Sequence, residues 1–322
     1  MSMSIATMRE WLNRTHVGDC RALLREMAED GVRVQTCITS PPYFGLRDYG
    51  VAGQMGLEKS PAEYVDGMVE VFRAVRDVLA EGGTVWLNLG DSYGRGTRTE
   101  NPSDAKRGTG FHAAITEDAG YGAPCLARPL PNKQLLGIPW RVALALQADG
   151  WYLRADIIWS KPNPMPESVT DRPTKAHEYL FLLSKSERYY YDAEAIREPD
   201  SGQDHPRNTL CAREPSGGLM APHRGIRSAA GRVGKGRNRR SVWTVPTTPF
   251  PGAHFACFPA ALIEPCVLAG ASAGGTVLDP FMGSGTTAEV ATRLGRDFIG
   301  CELNPKYLAL HDLRRTTVGM PL

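Results

Sequence analysis

The chain has 322 residues, 42% of them hydrophobic, and carries 37 lysines and arginines against 35 aspartates and glutamates, a formal net charge of +2. This length fits one large α/β domain with an insertion, or two small domains, and the near balance of charge excludes a uniformly basic or acidic protein. Seven cysteines without a CxxC pair argue against a disulfide framework and a structural zinc site, and suit a reducing cytoplasm. No apolar run reaches the roughly 18 to 20 residues of a membrane span, and Met1 to Arg14 reads as neither an export signal nor an anchor.

In chain order, Asp19 precedes a helical pattern carrying Leu23, Leu24 and Met27 and is placed to cap it. An apolar run from Val32 to Ile38 then reads as a strand ending at Thr39-Ser40-Pro41-Pro42-Tyr43. Two successive prolines fix two φ angles and remove two N–H donors. The turn therefore offers carbonyl oxygens, the Ser40 hydroxyl and an aromatic face at the sheet's carboxyl edge, a set that suits a planar ligand bearing an amino group. A plain turn after a strand is the other reading. Phe44 to Gly50 reads as a flexible loop of the kind that closes over substrate. Tyr64, Met68, Val71, Phe72, Val75 and Leu79 recur at helical spacing between Pro61 and Ala80, with Gly82-Gly83 ending the helix and Thr84 to Leu89 forming the next strand. Asp91, just beyond, reads as pocket lining or as an Asx turn.

Residues 94–130 are polar, glycine-rich and partly basic, without periodicity, and read as a long surface insertion. Regularity returns with a helix from Ile138 to Gln147, opened by Pro139, and a strand from Trp151 to Trp159. Ser160-Lys161-Pro162 ends that strand, and His177-Glu178 precedes another apolar run, Tyr179 to Leu183; no further ligand stands at a useful spacing from His177-Glu178, so no metal is expected. From Arg197 to Arg240 ten lysines and arginines face four carboxylates, which concentrates the chain's small basic excess. Arg232, Lys235, Arg237, Arg239 and Arg240 form its densest part, which suits a phosphate backbone; a solvated loop is the alternative.

Thr276 to Leu278 reads as a strand running into Asp279, Phe281 and the turn Gly283-Ser284-Gly285, with a helix starting at Thr286-Thr287. Small residues let a ligand approach the backbone, and the helix start offers N–H groups. Gly283-x-Gly285-x-x-Ala288 matches a dinucleotide fingerprint, but Asp279 before the glycines repels a pyrophosphate and suits an ammonium group, and no Gly-Lys-Ser/Thr follows to make a P-loop. Asp297 to Glu302 is a strand ending in a carboxylate that can accept both hydroxyls of a ribose. Asn304-Pro305 then opens the last helix, Lys306 to Leu313.

Ser-Pro-Pro-Tyr at 40–43 together with Asp-Pro-Phe-x-Gly-x-Gly-Thr-Thr at 279–287 resembles the amino-methyltransferases of DNA, which methylate the exocyclic nitrogen of cytosine or adenine from S-adenosylmethionine. The resemblance spans Gly18 to Tyr307 and includes the Trp159-Ser160-Lys161-Pro162 block. It implies a Rossmann-like α/β fold: a mostly parallel sheet with helices on both faces and one antiparallel hairpin strand. With the catalytic motif first and the cofactor motif last, the order is similar to that of the circularly permuted β subgroup. The implied layout is a catalytic half, residues 1–193, containing the 94–130 insertion; a basic target-recognition region, 194–250; and a cofactor-binding half of the same domain, 251–322.

Carried over by position, Ser40 and the Pro41 carbonyl accept hydrogen bonds from the target amine, Pro42 completes the turn, and Tyr43 stacks on the flipped base. The implied holders of S-adenosylmethionine are Asp19, Asp279, Phe281, Gly283, Ser284, Gly285, Thr286, Thr287, Glu302 and Asn304, with His254 to Pro259 bordering its methionine moiety. Serine before Pro-Pro-Tyr is commoner among the cytosine enzymes, which makes the N4 amine of cytosine the expected acceptor and the N6 amine of adenine the alternative. Methylation at the cytosine ring carbon needs a nucleophilic cysteine, and neither Cys125 nor Cys266 continues into that family's pattern. DNA is the expected partner; a homodimer and a separate restriction endonuclease stay open. A non-catalytic DNA-binding module and an RNA methyltransferase are the competing readings.

Overall fold

The apolar run before Ser40 forms β2 (Val34–Thr39), near the middle of an eight-stranded sheet. A computed structural model describes residues 5–94, 131–199, 236–248 and 258–317. The chain divides into two units, Met1–Asp192 with Ser241–Leu322, and Ala193–Arg240. The first unit runs α1 (Ile5–Trp11), β1 (Arg14–Val17), α2 (Cys20–Glu29), β2, α3 (Pro61–Val78), β3 (Leu79–Leu89), α4 (Ile138–Ala148), β4 (Tyr152–Ser160), β5 (His177–Ser184), β6 (Val242–Thr244), α5 (Ala260–Gly270), β7 (Thr276–Asp279), α6 (Thr286–Arg293), β8 (Asp297–Glu302), a 3₁₀ turn (Pro305–Tyr307) and α7 (Leu308–Thr317).

The sheet order is β1-β8-β7-β2-β3-β5-β4-β6. Every neighbouring pair is parallel except the two made by β5, which runs against β3 and β4. This is the mostly parallel sheet with one reversed hairpin strand that the sequence resemblance implies. Alternation along the strands separates two apolar layers. Cys37, Val85 and Leu87 join Leu24, Met27, Tyr64, Phe72 and Val142 of α2, α3 and α4 in one core. Thr36 and Trp86 face the other way, so close to Gly270 of α5 that a Cβ there would lie 2.7 Å from Thr36 Oγ1.

The position of the site follows from the connections. From β7 the chain crosses through α6 to β8 on one side, and from β2 it crosses through α3 to β3 on the other. The carboxyl ends of adjacent β7 and β2 therefore flank a topological switch point, where open α/β sheets leave a crevice for ligands.

Four elements differ from the sequence expectation. Gly82-Gly83 does not end a helix: α3 stops at Val78, and both glycines lie inside β3, which begins at Leu79 paired with Val34. Glycine serves close packing there, because a Cβ on Gly83 would sit 2.4 Å from Leu79 Cγ. β1 and β6, of four and three residues, are too short to show a period and exist through pairing, β1 with β8 and β6 with β4. The last helix opens as a 3₁₀ turn capped by Asn304 before continuing as α7.

Candidate active site

The two turns that the sequence singles out meet at the switch point. Thr39, the last residue of β2, donates its hydroxyl to Asp279 Oδ1 at 2.6 Å, which ties the end of β2 to the end of β7. Asp279 also accepts from the Phe281 N–H at 3.0 Å and from Thr287 Oγ1 at 2.6 Å, and is 1% exposed. Burial raises its carboxyl pKa to about 6 against the opposing effect of these three donors. Asp279 and Thr287 thus lie behind the cleft wall and brace the glycine turn, while Phe281, Gly283, Ser284 and Thr286 line the cleft itself.

The turn is held from α7 and β8. Gly283 N–H donates to Glu302 Oε2 and Asn304 N–H to Glu302 Oε1, both at 2.8 Å, which orients a carboxylate whose pKa burial has raised. Arg314 donates to the Ser284 carbonyl at 2.7 Å and to its hydroxyl at 2.9 Å, and His311 Nε2 meets the Gly283 carbonyl at 2.8 Å. Gly285 has φ +84°, and a Cβ there would lie 2.8 Å from the His311 ring, so both conformation and space call for glycine.

Glu302 and Asn304 line the cleft, as does Asp19. Asp19 caps α2 through the Arg21 N–H at 2.8 Å and pairs with the Arg21 guanidinium at 2.6 Å, which holds its carboxyl below the usual range. The capping role read from the sequence and the place on the cleft wall therefore coexist. Tyr49, Val51, Gln54 and Met55 supply a further wall, from the loop after Tyr43. Gln54 shapes that loop, accepting from the Tyr49 N–H at 2.8 Å and donating to the Arg47 carbonyl at 3.2 Å.

Ser40 and Pro42 open onto this same cleft. The Ser40 hydroxyl stands 3.3 Å from both Asn88 Oδ1 and Tyr43 Oη. Tyr43 Oη lies 2.9 Å from Asn88 Oδ1 and 2.6 Å from Glu178 Oε2; burial and the Glu178 charge push the phenol's pKa well up, so it is a donor. Asn88 Nδ2 donates to the Tyr179 carbonyl at 3.0 Å, which points its oxygen at Ser40 and Tyr43. Lys161 pairs with Glu178 and sits 4.3 Å over the Trp159 ring. The Pro42 carbonyl accepts from Tyr64 Oη at 2.9 Å, whereas among the described residues no hydrogen bond reaches the buried Pro41 carbonyl. Gly90 allows the Tyr43 ring its place, since a Cβ there would lie 2.5 Å from Tyr43 Cε2. Asp91 is outside the cleft lining, and its Oδ1 accepts from the Ile138 N–H at 3.0 Å, at the start of α4, and from the adjacent Ser92 N–H at 2.9 Å, a long-range helix contact rather than the pocket lining or Asx turn read from the sequence.

A family model described as DNA methylase, N6_N4_Mtase, matches residues 34–312. The chain belongs to the N6/N4 DNA methylase family. The methylase is 46% identical over 291 residues to the type II methyltransferase M.Cfr9I of Citrobacter freundii, covering 90% of this chain and 83% of that one. It is 45% identical to M.SmaI of Serratia marcescens, with 91% and 87% covered. Among solved structures it shares the fold of PvuII DNA methyltransferase (cytosine-N4-specific), with TM-score 0.58, 20% identity and 94% and 85% covered. A putative DNA modification methylase from Thermus thermophilus, solved with S-adenosyl-L-methionine, matches at TM-score 0.54 and 23% identity, with 95% and 94% covered. The methylase is accordingly an S-adenosylmethionine-dependent enzyme acting on DNA.

The cleft's donor set fits that cofactor. Its cationic centres would meet a wall carrying Asp19 and Glu302, and the glycine turn leaves room for a ligand to reach the backbone. Cys20, the thiol on this wall, is pushed by burial up to about 12 and stays protonated, and Cys266 is buried in α5. Asn88, Glu178, Arg314 and His311 are not among the site residues that the sequence singles out; Lys161 stands there only inside a family-like block, and Glu178 only in a His-Glu pair set aside as a metal site. In the second unit, Glu198 and Arg237 exchange backbone hydrogen bonds at 2.9 Å, and the Glu198 carboxylate pairs with Arg237 at 3.0 Å and Arg240 at 2.9 Å. Arg239 lies between those two arginines in sequence. Arg232, Lys235, Cys125, His254 to Cys257 and residues 95–130 lie outside the described residues.

Proposed function

We propose that this methylase transfers a methyl group from S-adenosylmethionine to the N4 amine of cytosine in duplex DNA, as the modification enzyme of a type II system. The observation that carries the proposal is that Ser40 opens onto the same cleft as Glu302 and the Gly283–Thr286 turn, because an amine acceptor and a methyl donor must share one space. S-adenosylmethionine supplies an electrophilic methyl group. Glu302 holds the ribose hydroxyls, and Asp279 acts from behind by fixing the turn that approaches the cofactor.

An exocyclic amine shares its lone pair with the ring and is a poor nucleophile. With the Ser40 proton directed to Asn88 or Tyr43, Ser40 keeps lone pairs for one amine N–H, and the Pro41 carbonyl accepts the other. These two bonds draw the nitrogen toward a pyramidal, nucleophilic geometry. The base reaches them only outside the duplex, with the Tyr43 ring replacing part of its stacking. The serine in first position supports cytosine over adenine, following the family's usage of that position.

The remaining parts follow the same layout in the permuted β order: the methyltransferase domain takes residues 1–193 and 251–322 together with β6, which lies in its sheet, and the recognition region is the rest of 194–250. There Arg232, Lys235, Arg237, Arg239 and Arg240 contact the phosphate backbone. The names of M.Cfr9I and M.SmaI support a separate restriction endonuclease as the functional counterpart, in the cytoplasm. The test is Tyr43→Ala: S-adenosylmethionine binding is retained while transfer to DNA falls by orders of magnitude. Unchanged transfer removes Tyr43 from the mechanism, and a wild-type protein that binds no S-adenosylmethionine overturns the proposal as a whole.

A further inference from the structure

Attack by an exocyclic amine leaves a proton to be disposed of, and the Ser40 and Pro41 contacts do not say where it goes. Behind Tyr43, on the side away from the cofactor turn, stands a carboxylate that those contacts leave without a role. Glu178 Oε2 accepts from Tyr43 Oη at 2.6 Å, Tyr43 Oη lies 3.3 Å from Ser40 Oγ, and the Glu178 side chain is 16% exposed. We propose that Ser40, Tyr43 and Glu178 form a proton exit in which Glu178 is the terminal acceptor, acting through Tyr43 rather than on the base. This rests on the assignment of Ser40 and Tyr43 to the transfer step.

The step balances without any further reactant. As the amine nitrogen forms its bond to the methyl carbon, the carbon–sulfur bond breaks and its electron pair neutralises the sulfonium. An amine proton passes to Ser40 Oγ while the Ser40 proton moves to Tyr43 Oη and the Tyr43 proton to Glu178 Oε2. Glu178 later releases it to solvent. Two hydroxyls at hydrogen-bonding distance suffice for such a transfer. The raised pKa of the Tyr43 phenol is no obstacle, because each hydroxyl gains a proton as it loses one and neither carries a charge between turnovers.

The surroundings keep Glu178 ready to accept. Lys161, just past the end of β4, forms an ion pair with it, and Lys175 and His177 are the other titratable groups whose charge it feels. Lys175 is itself drawn toward Asp91, 4.0 Å away. Asn88 Nδ2 is 3.3 Å from Glu178 Oε2, and Trp159 pairs with Glu178 across the β4–β5 ladder. Lys161 is the one cation among these in hydrogen-bonding contact with the carboxylate. Glu178 accepts the proton as a carboxylate, and the Lys161 ion pair favours that form, so taking away the Lys161 charge weakens the acceptor.

The experiment is the single-turnover rate of methyl transfer in H2O and in D2O, at saturating S-adenosylmethionine and DNA, for wild type, Glu178→Gln, Tyr43→Phe and Lys161→Met, with S-adenosylmethionine binding as the check on folding. Glu178→Gln and Tyr43→Phe are each expected to slow transfer by at least about tenfold and to lose the wild-type solvent isotope effect. The double variant is expected to be no slower than either single one. Lys161→Met is expected to slow transfer while keeping that isotope effect, because the exit itself stays intact. A purely structural role predicts instead that every variant slows the rate by one factor in both solvents with the isotope effect unchanged, and that result overturns the proton exit while leaving the methyltransferase assignment standing. A wild type without transfer, or Ser40→Ala at the wild-type rate, overturns the assignment and the exit with it.

Discussion

Gly90 is the position at which packing and catalysis are most directly coupled. It follows β3 and lies under the Tyr43 ring, so that the Cβ of Gly90→Ala would sit 2.5 Å from Tyr43 Cε2 and 2.8 Å from Cδ2. Carbon atoms in contact settle at roughly 3.5 to 4.0 Å, so the ring must withdraw by about 1 Å. A shift of that size breaks the 2.6 Å bond to Glu178 and the 2.9 Å bond to Asn88, because both then exceed hydrogen-bonding distance. Overpacking of this kind costs about 1 to 3 kcal/mol of stability, and a misplacement of about 1 Å at a reacting centre costs on the order of a hundredfold in rate. Denaturant unfolding, S-adenosylmethionine titration and single-turnover methyl transfer separate the effects. The expected outcome is a folded protein with wild-type cofactor affinity and transfer slowed by about two orders of magnitude. Transfer at the wild-type rate would refute the placement of Tyr43 in the reacting geometry.

Asp279 makes a pH prediction about stability. Its folded pKa is raised from 3.8 to about 6, so the unfolded chain ionises it first; stability is highest below about pH 4 and falls as pH rises through 6, ending about 3 kcal/mol lower. Asp279→Asn removes that slope, and urea midpoints between pH 4.5 and 8 that change alike in both proteins would contradict it. Glu302→Ala is expected to weaken S-adenosylmethionine binding by at least tenfold through lost charge-assisted hydrogen bonds, measured by calorimetry, and an unchanged Kd would rule out the ribose role. Arg237→Ala with Arg240→Ala is expected to reduce the slope of log affinity against log salt by about 0.9 for each phosphate contact removed; an unaltered slope places the DNA contact elsewhere.

Local motifs were the legible part of this molecule. Ser40-Pro41-Pro42-Tyr43 and Asp279 to Thr287 declare themselves because prolines and glycines constrain the backbone within a few residues, and Glu302 because it ends an apolar strand. The parallel sheet followed from the alternation of strands and helices and from the family resemblance together. What stayed hidden was carried by contacts between distant residues. Thr39 and Asp279 are 240 residues apart, Tyr43 and Glu178 are 135 apart, and the α7 side chains that hold the glycine turn act across about 30. Asn88 reads as one more strand residue until β5 lies beside it. Gly82-Gly83 misled for the opposite reason: paired glycines favour a helix stop locally, but β2 needed a partner beginning at Leu79. Asp279 shows a third case, in which the motif is right about position and the side chain turns inward to brace the turn.

The identity of the methylated base is the most direct test of the role given to Ser40. The protein would be expressed in a host lacking DNA methylation of its own, and the genomic DNA hydrolysed and its nucleosides identified by mass spectrometry. N4-methylcytosine is the predicted product, absent from cells expressing Ser40→Ala. N6-methyladenine in its place would contradict the acceptor assigned through Ser40, and neither nucleoside, with S-adenosylmethionine bound by the purified protein, would contradict the assignment of DNA cytosine as substrate.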